Sequence, residues 1–313
     1  MKKIIVIVGP TAVGKTALSI QMAQTLNGEI ISGDSMQVYQ TLDIGTAKAT
    51  CTEQAGIKHY LLDTKRVDET FTVAEWVDEA RKAIDEIYSH GKVPIIVGGT
   101  GFYIAALLGD MPLGGNEAGA DETIRTKWEA FSKQYGSEAL WQELNKVDSK
   151  AAEKISPNNT RRIIRALEVF ELTGIPFSKQ PRTLGKREYD AYIIGLTTQR
   201  DILYQRINQR VDEMISVGLE KEAYQLFEQG GQNLQSGTGI GYKEWYPYFE
   251  HKSDLTSTIE LIKRNSRRFA KRQLTWFRHQ IEGIQWFDLV ANRDEITVIL
   301  NRSELFLQYE SKN

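Results

Sequence analysis

The chain is poor in cysteine, histidine and proline, and each shortage narrows what it can be. Cys51 is the only cysteine in 313 residues, so no intrachain disulfide can form. That excludes a disulfide-stapled scaffold and fits a reducing compartment. The four histidines, at 59, 90, 251 and 279, show no ligand spacing, so no zinc site is expected. Seven prolines and the lack of any low-complexity tract exclude a collagen-like or proline-rich disordered chain. No apolar run nears the ~20 residues of a membrane helix. The run after Lys2-Lys3 extends only from Ile4 to Val8 before Gly9-Pro10, short of the ~7–15 residues of a secretory apolar core. A soluble, cytoplasmic protein without a membrane partner is expected. An excess of one charge is also missing: 39 Lys+Arg stand against 41 Asp+Glu, a net charge of −2. A nucleic-acid partner would therefore have to be met by local basic patches.

Short β-branched runs and amphipathic stretches alternate. Ile4–Val8, Glu29–Ser32, Val93–Val97 and Tyr192–Leu196 are apolar on both alternating faces, as buried parallel strands are. Lys15–Leu26 and Val73–Tyr88 carry apolar residues at helical spacing between them. Strand, helix, strand predicts an α/β fold with a parallel sheet flanked by helices. From Asp121 to Leu172 the pattern is helix after helix, and the last strand comes only afterwards. An inserted all-helical domain is expected over 114–190, within a core made of 1–113 and 191–313.

Gly9-Pro10-Thr11-Ala12-Val13-Gly14-Lys15-Thr16 reads G-x-x-x-x-G-K-T, between a predicted strand and a predicted helix. Chance supplies this pattern in about 1% of chains of this length. Its backbone N–H groups form an anion nest at a helix N-terminus. Lys15 would reach terminal phosphate oxygens and Thr16 would ligate Mg²⁺. The motif marks a phosphate, as in ATP-binding proteins, and by itself names neither the nucleotide nor hydrolysis. The strand Val93–Val97 runs into Gly98-Gly99-Thr100 and supplies no carboxylate for a nucleotide's magnesium, which weighs against a standard ATPase. The second strand leads into Ser32-Gly33-Asp34-Ser35-Met36-Gln37, beyond the strand end where ligands of open parallel sheets sit. Asp34 there fits a general base or an outer partner of Mg²⁺, and equally a helix N-cap. Ser35 and Gln37 have side chains suited to reading a base edge.

Seven blocks in order resemble the tRNA dimethylallyltransferase (tRNA isopentenyltransferase) family. They are GPTAVGKT, SGDSMQVYQTLDIGTAK (32–48), GGTGFYI (98–104), RRIIRALEVF (161–170), QRINQRVDEM (205–214), GIGYKE (239–244) and KRQLTWFR (271–278). The resemblance implies a P-loop NTPase-like core with a helical insertion that grips the tRNA anticodon stem-loop. It implies transfer of a dimethylallyl group from dimethylallyl diphosphate to N6 of adenosine 37 in tRNA, with Mg²⁺ and by a monomer. By position, Gly9 to Thr16 would hold the diphosphate, and Thr11 and Arg210 would contact it near the breaking bond. Asp34 would be the base on the adenosine amine. Asp34, Ser35, Met36, Gln37 and Thr100 would meet the target region of the RNA. Arg161, Arg162, Ile163, Ile164 and Arg165 would touch tRNA from the insertion. The chain departs from the family at 112–121, where PLGGNEAGAD replaces a proline-rich link.

Diphosphate leaves well only if its growing charge is stabilised, and the allylic carbon must be shielded from water. Lys263, Arg264, Arg267, Arg268, Lys271, Arg272 and Arg278 form an acid-free run in which Lys263/Arg267/Lys271 and Arg264/Arg268/Arg272 repeat at i, i+4. Both stripes are candidate RNA contacts and equally solvated helix faces. Ile262, Phe269 and Trp276, seven apart, are expected to be core. A P-loop kinase using ATP, an RNA-binding protein with a regulatory nucleotide, and a prenylating enzyme acting on free AMP or ATP are the competing readings. The arginines of the insertion argue against the last.

Overall fold

The computed structural model describes residues 1–111, 121–180 and 187–309. Of the departure at 112–121, residues 112–120 lie outside the described residues. The chain divides into two compact units, Met1–Met111 with Gly185–Asn313, and Pro112–Leu184.

The first unit is built on a six-stranded parallel sheet: β1 (Lys2–Val8), β2 (Gly28–Ser32), β3 (His59–Tyr60), β4 (Val93–Gly98), β5 (Tyr189–Leu196) and β6 (Gln285–Phe287). The strand order is β3-β2-β4-β1-β5-β6. The continuous apolar character of β1 has a direct cause: Ile4 to Val8 are all 0% exposed, with helices on both faces. β1 pairs Val8 with Gly98 on one side and with Gly195 on the other, so three strands end at one level. The sheet and its flanking helices have the P-loop NTPase-like α/β architecture.

Around the sheet lie α1 (Lys15–Thr25), α2 (Cys51–Gln54), α3 (Val73–Ser89), α4 (Gly101–Leu108), α8 (Arg200–Ser216), α9 (Leu219–Glu228), α10 (Tyr246–Phe249), α11 (Leu255–Gln280) and α12 (Glu295–Gln308). α3 starts on a capping box in which Thr72 and Glu75 satisfy each other's backbone N–H groups. Its apolar face buries Trp76, Val77, Ala80, Ala83, Ile84 and Ile87.

The second unit contains α5 (Glu122–Val147), α6 (Ser149–Ala152) and α7 (Thr160–Thr173). Gly136, at φ +86°, breaks α5 into two segments. Leu140, Leu144, Ile155, Ile163 and Leu167 make its core. Glu168, 0% exposed, is held by Arg165 at 2.6 Å and Arg125 at 2.9 Å, and accepts the Asp121 N–H at 2.8 Å. A buried carboxylate needs that degree of pairing to stay charged.

Two sequence expectations shift. β3 and β6 were not anticipated, because two and three residues are too few to show a period. The last long strand begins at Tyr189, so the chain is back in the sheet before residue 191.

Candidate active site

The phosphate loop, the turn after β2 and the turn after β4 meet at the carboxyl edge of the sheet. Gly33 N–H donates to Val97 O at 2.7 Å, and Thr100 N–H to Gly33 O at 3.2 Å. Backbone crosses backbone so closely that a Cβ on Gly98 would fall 2.2 Å from Gly33 O. Only glycine permits this crossing, and the crossing positions Asp34.

Asp34 opens an Asx turn: its Oδ1 accepts the Met36 N–H at 2.9 Å. Burial pushes its carboxyl above the usual range, opposed by the Met36 N–H and by the charges of Lys15 and Arg210. Ser35 N–H donates to Thr100 Oγ1 at 3.1 Å, which joins the two turns. Below them, Trp76 Nε1 donates to Ser32 O at 3.0 Å and its ring stacks on Tyr103 at 5.0 Å.

In the phosphate loop, Ala12 takes a left-handed backbone at φ +66°, a strained state for a non-glycine residue. Arg206, on α8, holds it there: its Nε donates to Ala12 O at 2.8 Å. Lys15 Nζ folds back onto Gly9 O at 3.0 Å and Pro10 O at 2.6 Å. Burial, aided by Arg210 and opposed by Asp34, lowers the Lys15 amine to about 7. Arg210, one turn beyond Arg206, is half-buried, and burial lowers its own proton affinity while Asp34 raises it. Lys15, Asp34 and Arg210 thus form one electrostatic group. Thr16 is exposed at the start of α1.

Several expected RNA contacts are repositioned. Gln37 is not free to read a base, because its amide is engaged within the loop. Its Oε1 accepts from Ser32 Oγ at 2.8 Å and its Nε2 donates to Thr46 O at 3.1 Å. Met36 is half-buried against Gly239. Ile163 and Ile164 are buried in the helical unit, so their side chains cannot touch RNA. Arg161 and Arg162 are exposed on α7, while Arg165 is paired with Glu168. On α11 only one basic stripe is open. Lys263 pairs with Asp212 at 2.8 Å and Arg267 donates to Asn208 at 2.5 Å, so that stripe is turned to α8 up to Lys271. Arg264, Arg268, Lys271 and Arg272 are exposed. Ile262 is buried as expected, whereas Phe269 and Trp276 are only half-buried.

Two residues not singled out from the sequence support the site. Glu222 gathers the N–H groups of Asp43, Ile44 and Gly45, each at 2.9 Å, and the Tyr242 hydroxyl at 2.7 Å. It fixes the far end of the Asp34-bearing loop. Gln273 lies between the phosphate loop and the turn after β4. No local pattern marks either, since their partners are far away in sequence.

With this geometry in place, comparison with known proteins is decisive. A family model described as IPP transferase matches residues 37–280. The chain belongs to the IPP transferase family. It is 54% identical to a tRNA dimethylallyltransferase of Ligilactobacillus salivarius over 301 residues, covering 95% of this chain and 97% of that one. The full-length tRNA isopentenylpyrophosphate transferase of Bacillus halodurans superposes with a TM-score of 0.74 at 47% identity, over 98% of this chain and 97% of the other. A eukaryotic dimethylallyltransferase acting on tRNA superposes with a TM-score of 0.81 at 30% identity, over 100% and 81%. The family match begins at Gln37, three residues after Asp34, and takes in the helical unit and α11.

Proposed function

We propose that this protein is a tRNA dimethylallyltransferase that moves the dimethylallyl group of dimethylallyl diphosphate to N6 of adenosine 37, beside the anticodon. The observation that carries the reading is Asp34, fixed at the carboxyl edge of the sheet by its Asx turn and by the Ser35–Thr100 bond, beside the phosphate loop and within the fields of Lys15 and Arg210. The donor's diphosphate lies on the loop from Gly9 to Thr16. Its charge releases Lys15 from the carbonyls of Gly9 and Pro10. Thr11 and Arg210 meet the oxygens nearest the breaking bond. Thr16 and diphosphate oxygens are hard oxygen donors of the kind Mg²⁺ takes, and the ion would neutralise leaving-group charge there.

The target adenosine comes from an anticodon loop, where a base leaves its stack at low cost. Thr100 and Ser35 line its approach, and the exposed arginines of α7 and α11 take the phosphates. The allylic C–O bond breaks, the C–N6 bond forms, the N6 proton passes to Asp34, and inorganic diphosphate departs. Adenine N6 is a weak nucleophile because its lone pair is delocalised. Proton removal as the bond forms is typically worth ~10²–10⁴-fold. A carboxyl raised by burial is a stronger base than an exposed one. One chain carries every group the reaction uses, which supports a monomer, and a tRNA substrate supports a cytoplasmic location.

No helix among the described residues is long and apolar enough to cross a membrane. A kinase is disfavoured by the end of β4, which presents Gly98, Gly99 and Thr100 and no carboxylate. The test is incubation with labelled dimethylallyl diphosphate and unmodified tRNA, followed by nucleoside analysis. N6-dimethylallyladenosine at position 37 is expected. Tight ATP binding that dimethylallyl diphosphate cannot displace, with no label in RNA, would overturn the reading.

A further inference from the structure

We infer that Gln273 is a positioning residue whose side-chain amide ties the diphosphate loop to the turn after β4, so holding the leaving group in register with the Asp34 loop. The inference rests on the proposed transfer reaction. Gln273 is only 6% exposed, on a helix otherwise rich in exposed bases. Its Oε1 accepts the Thr11 N–H at 3.1 Å, and its Nε2 donates to Gly99 O at 3.0 Å. Both partners are backbone groups of fixed polarity, one a donor and the other an acceptor, so the amide has a single orientation that satisfies both.

The bridge reaches further on each side. Thr11 belongs to the loop that cradles the diphosphate. Gly99 precedes Thr100, whose Oγ1 accepts the Ser35 N–H next to Asp34. A continuous line therefore runs from Thr11 through Gln273, Gly99 and Thr100 to Ser35. The fit is tight: a Cβ on Gly99 would lie 2.3 Å from Gln273 Nε2. A side chain whose only task was to fill space would not need a glycine opposite its polar tip. The same helix presents Arg268, Lys271 and Arg272 to solvent, so RNA held there is held by the element that sets the loop.

Misplacement of reacting groups by about 1 Å costs ~10²-fold in rate, while ground-state binding is less affected. Gln273→Met keeps length and apolar volume and removes both hydrogen bonds. It should lower kcat about 10–100-fold, leaving KM for donor and tRNA within about threefold, with the thermal midpoint lowered by only about 2–6 °C for the two backbone groups left without a partner. Gly99→Ala tests the bridge from the other side, since its methyl group displaces the amide without altering Gln273. Wild-type transfer and binding of inorganic diphosphate are measured alongside. A folded Gln273→Met with kcat within twofold of wild type overturns the inference. So does a fall in kcat matched by an equal fall in diphosphate affinity, which marks a merely structural residue. If the wild-type chain transfers nothing to tRNA, the reading of function fails and the inference with it.

Discussion

Raising the pH should loosen the enzyme's hold on its donor. Lys15 sits near pH 7 in the free protein because burial and Arg210 disfavour its charged form. A bound diphosphate favours the ammonium, so binding takes up a proton wherever the free lysine is neutral. Affinity is then nearly constant below pH 7 and falls up to tenfold per unit above it. Between pH 7 and 9 the loss is about 50-fold, or ~2.3 kcal/mol, if the anion returns Lys15 to its ordinary range. Titration calorimetry with dimethylallyl diphosphate, without RNA, reads this directly. At pH 8 two buffers of different ionisation heat should reveal uptake of about 0.9 proton per site. Lys15→Arg, charged throughout, should bind with a flat profile. A wild-type affinity that is unchanged from pH 7 to 9, with no buffer dependence, would refute the reasoning.

Arg210→Met removes one of the two causes that lower Lys15, so it should move that break to higher pH while weakening donor binding. Gly98→Ala must part β4 from the turn after β2 by about 0.8 Å before its methyl group clears Gly33 O, and should lower kcat by up to ~10²-fold. Gly91→Ala, ahead of β4 and with nothing within 4 Å of the added Cβ, should leave kcat unchanged. Exchanging Arg268 or Arg272 for Gln should each reduce the salt slope of tRNA binding by roughly 0.7–1, while Lys263→Gln, already paired with Asp212, should leave it unchanged. Burial raises Asp34, so the acid limb of kcat should lie above the ordinary carboxylate range: activity falls as pH drops and the base is protonated.

What was legible in the sequence was local. The strand from Ile4 to Val8, the glycine-rich loop and α1 follow one another within some twenty residues, and each carries its own pattern. Asp34 was legible because a strand end next to the loop is where a carboxylate has work to do. Gln273 was not, since its partner Thr11 is 262 residues away and a lone glutamine in a basic helix has no signature. Glu222 was hidden in the same way, 177 residues from Gly45. Gln37 looked like a base reader by residue type, and only the fold shows its amide engaged by Ser32 and Thr46. The i, i+4 spacing of Lys263 and Arg267 revealed a stripe but not its direction, which Asp212 and Asn208 on α8 decide.

The central claim is that Asp34 takes the proton of adenosine N6 while the loop from Gly9 to Thr16 receives the departing diphosphate. Single-turnover transfer by Asp34→Ala, with tRNA and diphosphate binding measured on the same preparation, tests it most directly. The account predicts a rate lower by ~10²–10⁴-fold with both affinities largely retained. A rate near that of the wild type, with both ligands bound, would contradict it.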